Sequence, residues 1–138
     1  MKLTAQWIVG FIDGEGCFYI GLNKKKELKQ EYQVLPEFSV LQHKRDIKLL
    51  YALKDFFGCG IVRKNKGKNS DIMIYRVRAQ KDLLKSIIPF FEKHTLKSMK
   101  YINFKKFRKV LLMIEKSEHL TIEGIKSIQE IKNAMNNK

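Results

Sequence analysis

Apolar positions along the chain follow two spacings, one typical of helices and one typical of strands. Residues three or four apart form single faces in the predicted helices, which run from about Ala5 to Asp13, Asp46 to Phe57, Lys81 to Ile88, Lys97 to Ile114, and from an N-cap at Thr121 onward. Pro89 closes the third of these helices. Alternating residues predict strands over Cys17–Leu22, over Glu31–His43 and in a hairpin over residues 60–79 whose turn is Lys66–Asp71.

The order of these elements is helix, two strands, helix, two strands, and then further helices. That order predicts an α+β fold with one antiparallel four-stranded sheet. The length of 138 residues suits a single domain over residues 1–138. Pro36 falls inside the second strand, where a bulge or an edge position would accommodate it.

The first helix has no polar face between Trp7 and Ile12. A helix that is apolar all round is normally buried all round, so in a small chain it indicates packing against a second subunit. Gly10 and Gly14 lie four residues apart on one face and would allow close approach of two backbones. The expected interface residues are Trp7, Val9, Gly10, Asp13 and Gly14.

Two acids, Asp13 and Glu15, end this helix, each followed by a glycine. A carboxylate near a helix C-terminus opposes the macrodipole, typically by about 0.3–1 kcal/mol. A divalent cation bound there would reverse that effect, and Mg²⁺ prefers carboxylate and carbonyl oxygen. The alternative from composition alone is a simple turn leading into the first strand.

The formal charge of +14 indicates a polyanionic partner, with nucleic acid the first candidate and an anionic membrane the second. The basic residues are spread over the chain rather than gathered on one amphipathic helix, which disfavours the membrane. No apolar run approaches the ~20 residues of a membrane span, and no secretory signal opens the chain. Lysine outnumbers arginine 23 to 5, a usage that indicates an A·T-rich, organellar coding genome.

The chain carries only two cysteines, Cys17 and Cys59. Without a secretory signal, both are expected to be free thiols in a reducing compartment. The histidines are far apart, and no pair of His and Cys has zinc-ligand spacing. These observations argue against a zinc finger and against a histidine-based metal nuclease.

The stretch "IVGFIDGEG", Ile8 to Gly16, resembles the motif of LAGLIDADG homing endonucleases at all nine positions. Further segments resemble the family in order: "FSVLQH", "FFGCGIVR", "IIPFFEKH", "KYINFKKF" and "HLTIEGIKSIQEIKNAMN". The resemblance implies an αββαββα fold whose curved sheet lies in the DNA major groove. It also implies that motif helices form the interface, so that this single-motif chain acts as a homodimer on a long, near-palindromic site.

The resemblance also implies roles for individual residues. Glu15, with the carbonyl of Gly14, would coordinate the catalytic Mg²⁺, while Asp13 would be structural. Gln42 would position water or a phosphate, and Lys100, rather than Lys97, would lie near the scissile phosphate. The activity implied is Mg²⁺-dependent double-strand cleavage of DNA.

If the open face of the sheet meets DNA, strand alternation selects the residues that face it. Arg, Asn and Gln pair with base edges, and lysines at hairpin tips contact phosphates. The candidates for the face are Asn23, Lys25, Gln33, Glu37, Ser39, Arg63, Asn65, Arg76 and Arg78, and those for the tips are Lys24, Lys26, Lys44, Lys66 and Lys68. For any single residue, a solvated hairpin is the alternative.

Two other functions stay open at this point. The chain could be a maturase for intron RNA or a regulator that binds DNA without cutting it. It could also be one half of a split double-motif endonuclease, because its closing segment resembles the tail of fungal double-motif members.

Overall fold

Six α-helices and four strands make up the part of the chain that the computed structural model describes, residues 1–67 and 71–136. Their bounds are α1 Ala5–Glu15, β1 Gly16–Lys24, β2 Tyr32–His43, α2 Ile47–Phe57, β3 Ile61–Lys64, β4 Ile72–Val77, α3 Gln80–Asp82, α4 Ile88–Lys93, α5 Lys100–Glu115 and α6 Ile122–Asn133. Short 3₁₀ turns precede α2 at Lys44–Asp46 and α6 at Glu118–Leu120. The expected α+β fold is confirmed.

The strands form one antiparallel sheet in the order β1-β2-β4-β3. Strand β2 is central and pairs with β1 from Gly16↔Val40 to Lys24↔Tyr32. Its other edge pairs with β4 only from Phe38 to His43. Strand β1 is therefore an edge strand along its whole length, and the first half of β2 is an edge on one side.

Pro36 lies in that half-paired part of β2, opposite Ile20. The register runs through it without interruption, so the bulge considered from the sequence is absent and the edge position is correct. A proline lacks the N–H that a second neighbouring strand would need, and β4 does not extend that far.

One face of the sheet is buried under helices and the other is open. Phe18 and Phe38 of the strands meet Phe91 and Phe107 of the helices, with ring centroids of Phe18 5.6 Å from Phe91 and 5.3 Å from Phe107. All four rings are fully or almost fully buried. Alternate strand residues, beginning with Tyr19, point to the opposite face. The sheet is thus one-faced, as the strand pattern predicts.

The ends of two helices follow the local sequence. Thr4 caps α1 by accepting the Trp7 amide at 3.2 Å, and the helix runs two residues further than predicted, to Glu15. Gly58 ends α2 in the left-handed conformation with φ of 71°, which glycine adopts without strain. Thr121 caps α6 as predicted.

The prediction that Pro89 ends a helix is wrong. The backbone stays helical from Gln80 to Lys93, because a π-helical segment, Leu83–Ile87, joins α3 to α4 without a break. The Ile88 amide donates to the Leu83 carbonyl five residues earlier, and Pro89 follows with no N–H to place. Half of the turn predicted over Lys66–Asp71, including Lys68, lies outside the described residues.

Two further expectations concern compartment and membrane. Cys17 and Cys59 are free thiols, as predicted, and burial raises the pKa of both. Within residues 1–67 and 71–136, no helix combines the length and the apolar character that crossing a bilayer requires.

Candidate nucleic-acid interface and the acidic end of the first helix

Asp13 is held inside the subunit by the segment that precedes α5. Its carboxylate accepts the Lys97 amide at 2.9 Å and the Ser98 amide at 3.1 Å, and the Ser98 hydroxyl donates to it at 2.9 Å. Burial alone raises the pKa of Asp13, but these hydrogen bonds outweigh it and hold the pKa below its ordinary value. The first acid of the motif therefore fastens the end of α1 to the start of α5.

Glu15, the last residue of α1, is exposed and differs from Asp13 in having no such partners. Across residues 1–67 and 71–136, its side chain makes no hydrogen bond and no ion pair. Its side chain borders an open cleft of about 390 Å³ on the open side of the sheet, shared with Cys17, Glu37 and Ser39. The second acid is thus presented to solvent beside the face expected to meet DNA.

The two lysines considered from the sequence point to different places. The Lys100 ammonium donates to the Gly16 carbonyl, one residue after Glu15. The Lys97 ammonium instead donates to the Thr95 carbonyl at 2.8 Å. The Lys100 charge therefore lies at the start of β1, directly after Glu15, whereas the Lys97 charge lies on the segment that binds Asp13.

Gln42 is half-buried near the end of β2 and pairs with Met73 in register. Strand alternation places it on the same side as buried Val40, opposite to Ser39 and Leu41. The structure therefore brings Gln42 to the end of the sheet near α1 but not into the cleft that Glu15 borders.

One stripe of α1 remains uncovered. Trp7 is 44% exposed and stacks on Phe11 with ring centroids 4.9 Å apart, and Gly10 and Gly14 lie between and beyond them on the same face. A Cβ at either glycine would meet nothing within 4 Å beyond its own helix backbone and chain neighbours. Val9, also expected at the interface, is 9% exposed and belongs to the core of the subunit.

The open face of the sheet carries the predicted DNA-contacting residues together. Pairing in register places Asn23 opposite Gln33 and Ser39 opposite Arg76 on this face. The face also contains Glu37, Arg63 and Arg78, with Lys25 and Asn65 at the strand ends and Lys66 beyond them. Ser39 is buried among its neighbours on this face, whereas Asn23, Gln33, Arg63, Lys66 and Arg78 are exposed.

Two charged pairs organise this surface. Arg78 Nε donates to Glu37 Oε1 at 2.6 Å, which fixes one guanidinium against the sheet. Arg76 lies beside Arg63 and Arg78, and burial together with these like charges lowers the pKa of its guanidinium. Lys44 pairs with Asp71 at 3.0 Å, both partly exposed. The acids therefore orient cations rather than cancel the positive face.

The DNA-contacting candidates were selected from the sequence by polarity, which left out the apolar residues of the same face. Tyr19, Leu35, Leu41 and Ile61 are large, exposed and in outward register. Their register could have identified them from the sequence, since each alternates with a buried or half-buried position. Apolar side chains contact the methyl group of thymine, so they belong with the candidate reading surface.

A metal ion at the end of α1 would find oxygen donors. The Gly16 amide donates to the Ile12 carbonyl, so the carbonyls of residues 13–15 lie beyond that bond, at the negative end of the helix. The exposed Glu15 carboxylate and the Gly14 carbonyl therefore fit a hard cation such as Mg²⁺. The described ranges hold no cluster of three His, Cys, Asp or Glu that could bind a metal, so these residues offer only part of a coordination shell.

Comparison with known proteins agrees with this geometry. A sequence profile described as LAGLIDADG endonuclease matches residues 8–111. The probable intron-encoded endonuclease 2 of Neurospora crassa is 35% identical over 129 residues, which are 94% of this chain and 26% of that protein. The chain spans about a quarter to a third of the length of the curated relatives it matches first.

Two solved structures superpose on nearly the whole chain. The crystal structure of the homing endonuclease I-TnaI has a TM-score of 0.92 and 53% identity, covering 99% of this chain and 90% of that chain. The meganuclease I-SmaMI bound to uncleavable DNA has a TM-score of 0.92 and 32% identity, covering 97% of this chain but 45% of that chain. The same fold thus occurs alone in one relative and within a chain about twice as long in the other.

Proposed function

Because the chain belongs to the LAGLIDADG endonuclease family, we propose that it is a site-specific homing endonuclease that makes metal-dependent double-strand breaks in DNA. The observation that carries this proposal is Glu15, an exposed carboxylate at the negative end of a helix with no partner among the described residues. It borders the open face of a sheet that carries arginine, asparagine and glutamine in register. A cation and a nucleic acid together account for both features.

Different residues of the subunit would have different roles in catalysis at the end of α1. Glu15 and the Gly14 carbonyl would hold Mg²⁺, which supplies Lewis-acid stabilisation of the phosphate and of the leaving oxygen when bound. Lys100, held at Gly16, contributes positive charge to the phosphorane-like transition state. Gln42 lies outside the cleft that Glu15 borders, so it would position water or a phosphate only from the adjoining end of β2. Asp13 fixes the geometry by tying this end of α1 to Lys97 and Ser98.

The open face of the sheet would read the DNA. Arg63, Arg76 and Arg78 can pair bidentately with guanine, and Asn23, Gln33 and Asn65 with adenine. Lys25, Lys44 and Lys66 at the hairpin ends would contact phosphates and set the register of the complex. The intron-encoded relative and the lysine-rich composition support an organellar gene as the origin of the chain.

The active species would be a homodimer joined through α1. Glycine in a helix interior is unfavourable by about 1 kcal/mol relative to alanine, yet the subunit itself leaves room for a Cβ at Gly10 and at Gly14. A close-packed partner helix explains both glycines, with Trp7 at the margin of the contact. A twofold axis there brings two Glu15 residues together and completes the partial coordination shell.

A second arrangement has one specific observation in its favour. The chain matches 45% of the I-SmaMI chain and 26% of the Neurospora relative, so the partner helix could belong to a different domain or chain. Mass measurement of the isolated protein separates the two arrangements. A homodimer supports the first, and a monomer that cuts DNA only with another subunit supports the second.

The test of the proposed function is cleavage selection from a randomised DNA library, in Mg²⁺ and in EDTA, with Glu15→Gln beside the wild type. We expect cutting in Mg²⁺ at one long near-palindrome, no cutting in EDTA, and binding without cutting by the variant. Cutting by Glu15→Gln at the wild-type rate would exclude the assigned role of Glu15. Wild-type binding without cutting would favour a regulator, and stimulation of intron RNA splicing would favour a maturase.

A further inference from the structure

The free edge of β1 is closed by side chains from the last third of the chain. Among the described strands, β1 pairs only with β2, so its outer carbonyls have no strand partner there. Three alternate carbonyls accept side-chain donors instead: Gly16 from Lys100, Phe18 from Asn136 Nδ2 at 3.0 Å, and Ile20 from Lys132 Nζ at 2.5 Å. An edge covered in this way is withdrawn from pairing with another strand.

The segment that supplies two of these donors is itself anchored on α5. Asn136 and Asn103 form a reciprocal pair: the Asn136 amide donates to Asn103 Oδ1, and Asn103 Nδ2 donates to Asn136 Oδ1, both at 3.1 Å. The Lys106 ammonium donates to the Ala134 carbonyl at 3.0 Å. The position of residues 132–136 along β1 is therefore fixed from both sides.

Lys132 reaches past the edge to the open face of the sheet. Its ammonium lies 4.3 Å from the centroid of the Tyr19 ring and 3.3 Å from the Tyr19 hydroxyl. Tyr19 is 45% exposed and lies opposite Glu37, the residue that holds Arg78. The open face thus presents a tyrosine, an acid and a guanidinium in one row across the strands.

The contacts of Lys132 restrict the tyrosine in two ways. A cation over a ring attracts the ring's electron-rich face, and the bond to the Ile20 carbonyl keeps the ammonium at the strand next to Tyr19. A tyrosine fixed in this manner offers a thymine methyl its apolar ring and offers a base edge its hydroxyl. Without the ammonium, the ring could turn about its side-chain torsions over the uncovered edge.

We propose that Lys132 is a positioning residue for DNA reading, which fixes Tyr19 as a base-contacting side chain and makes α6 part of the sequence-reading apparatus. The proposal rests on the proposed function, since it needs a DNA target. It adds to that function a specificity-determining tyrosine and a residue from the far end of the chain that orients it.

The experiment compares Lys132→Met, Lys132→Arg and Tyr19→Leu with the wild type. Binding is measured in EDTA to a panel of targets in which every base pair is substituted singly. We expect Lys132→Met to reduce discrimination at the one or two base pairs that Tyr19→Leu affects, by about two- to fivefold, the range for a partly exposed cation–π contact. Lys132→Arg should retain discrimination, and the Lys132→Met/Tyr19→Leu double variant should lose no more than Tyr19→Leu alone.

A matched control separates reading from folding. Lys106→Met removes the bond to Ala134 and so loosens the same segment without touching Tyr19. It should lower stability and leave discrimination unchanged. If Lys106→Met reproduces the loss at the Tyr19 base pairs, the role of Lys132 is only structural.

Three further results would overturn the inference. An unchanged base-pair profile for Lys132→Met would show that the ammonium does not orient Tyr19. An equal loss on all targets, with the salt slope reduced by about 0.9, would make Lys132 a phosphate contact instead. Failure of the wild type to select any DNA sequence would remove the proposed function together with the inference, whereas the first two results leave that function standing.

Discussion

Replacing Gly10 by alanine should have opposite effects on the subunit and on the dimer. Within the subunit, the added Cβ meets nothing within 4 Å beyond its own helix and neighbours. Alanine is favoured over glycine in a helix interior by about 0.8–1.0 kcal/mol. The folded subunit should therefore gain nearly that full amount, because no steric conflict offsets it.

Across the proposed twofold interface, the same substitution would insert two methyl groups where the two helices are expected to approach most closely. Overpacking typically costs about 1–3 kcal/mol for each inserted group, so the dimer should lose at least about 2 kcal/mol. That loss corresponds to a dissociation constant weaker by about 30-fold. The substitution would thus raise subunit stability and lower dimer affinity at once.

The two effects are separable because only the dimer term depends on protein concentration. Sedimentation equilibrium gives the dissociation constant, and urea unfolding at several concentrations gives the stability of the subunit. Gly124→Ala is a control that should change the stability of the subunit in the opposite direction. A Cβ at Gly124 would lie 1.7 Å from the Glu118 carbonyl oxygen, so this variant should destabilise the subunit while leaving α1 unchanged. A Gly10→Ala protein that dimerises as tightly as the wild type would refute the assignment of α1 to the interface.

Three further outcomes are expected. The pKa of Asp13 lies below its ordinary value in the fold, so Asp13 stabilises the fold above its unfolded pKa, and this contribution is lost as the pH falls through the folded pKa. In Asp13→Asn, the free energy of unfolding should therefore fall less steeply with decreasing pH than in the wild type, when urea unfolding is followed from about pH 5 to pH 2. Lys100→Met should lower the cleavage rate at saturating DNA by about 10²–10³-fold, as measured by single-turnover kinetics. The matched Lys97→Met, whose ammonium donates to the Thr95 carbonyl, should change the rate less than about threefold. Equal losses would contradict the role given to Lys100. Lys66→Ala should weaken binding to all targets alike and reduce the salt slope by about 0.9, while Arg76→Ala should lose discrimination at one or two base pairs, by titration at several salt concentrations.

The parts of the fold that the sequence predicted correctly depend on neighbouring residues. Thr4 and Thr121 cap helices three residues away, and Gly58 ends α2 through its own backbone conformation. The one-faced strands follow from the alternation of apolar and polar residues, and burial of the apolar face fixes their register. Local chemistry therefore predicted the α+β order, the sheet and most of the open face.

The parts that sequence reasoning missed depend on residues far apart in the chain. Asp13 meets its partners 84 and 85 residues later, and Lys132 and Asn136 reach β1 across 112 and 118 residues. A proline locally predicts the end of a helix, but at Pro89 the packing of Ile87 and Phe91 into the core keeps the helix continuous through a π-helical segment. The residue pattern of a single helix or strand cannot predict these contacts, because each contact joins elements that meet only after folding.

The two acids at the end of α1 differ in whether their charges have hydrogen-bond partners, and this difference supports the role proposed for Glu15. The charge of Asp13 is met by N–H and O–H donors of the same subunit. That of Glu15 is not met within the described residues, so its opposition to the helix dipole, about 0.3–1 kcal/mol, persists in the isolated subunit. Gly10 and Gly14, on the same helix, also disfavour the isolated subunit without serving its packing. A bound cation would meet the Glu15 carboxylate, and a partner helix would fill the space at the glycines, so these features of α1 support the proposed assembled, metal-bound state.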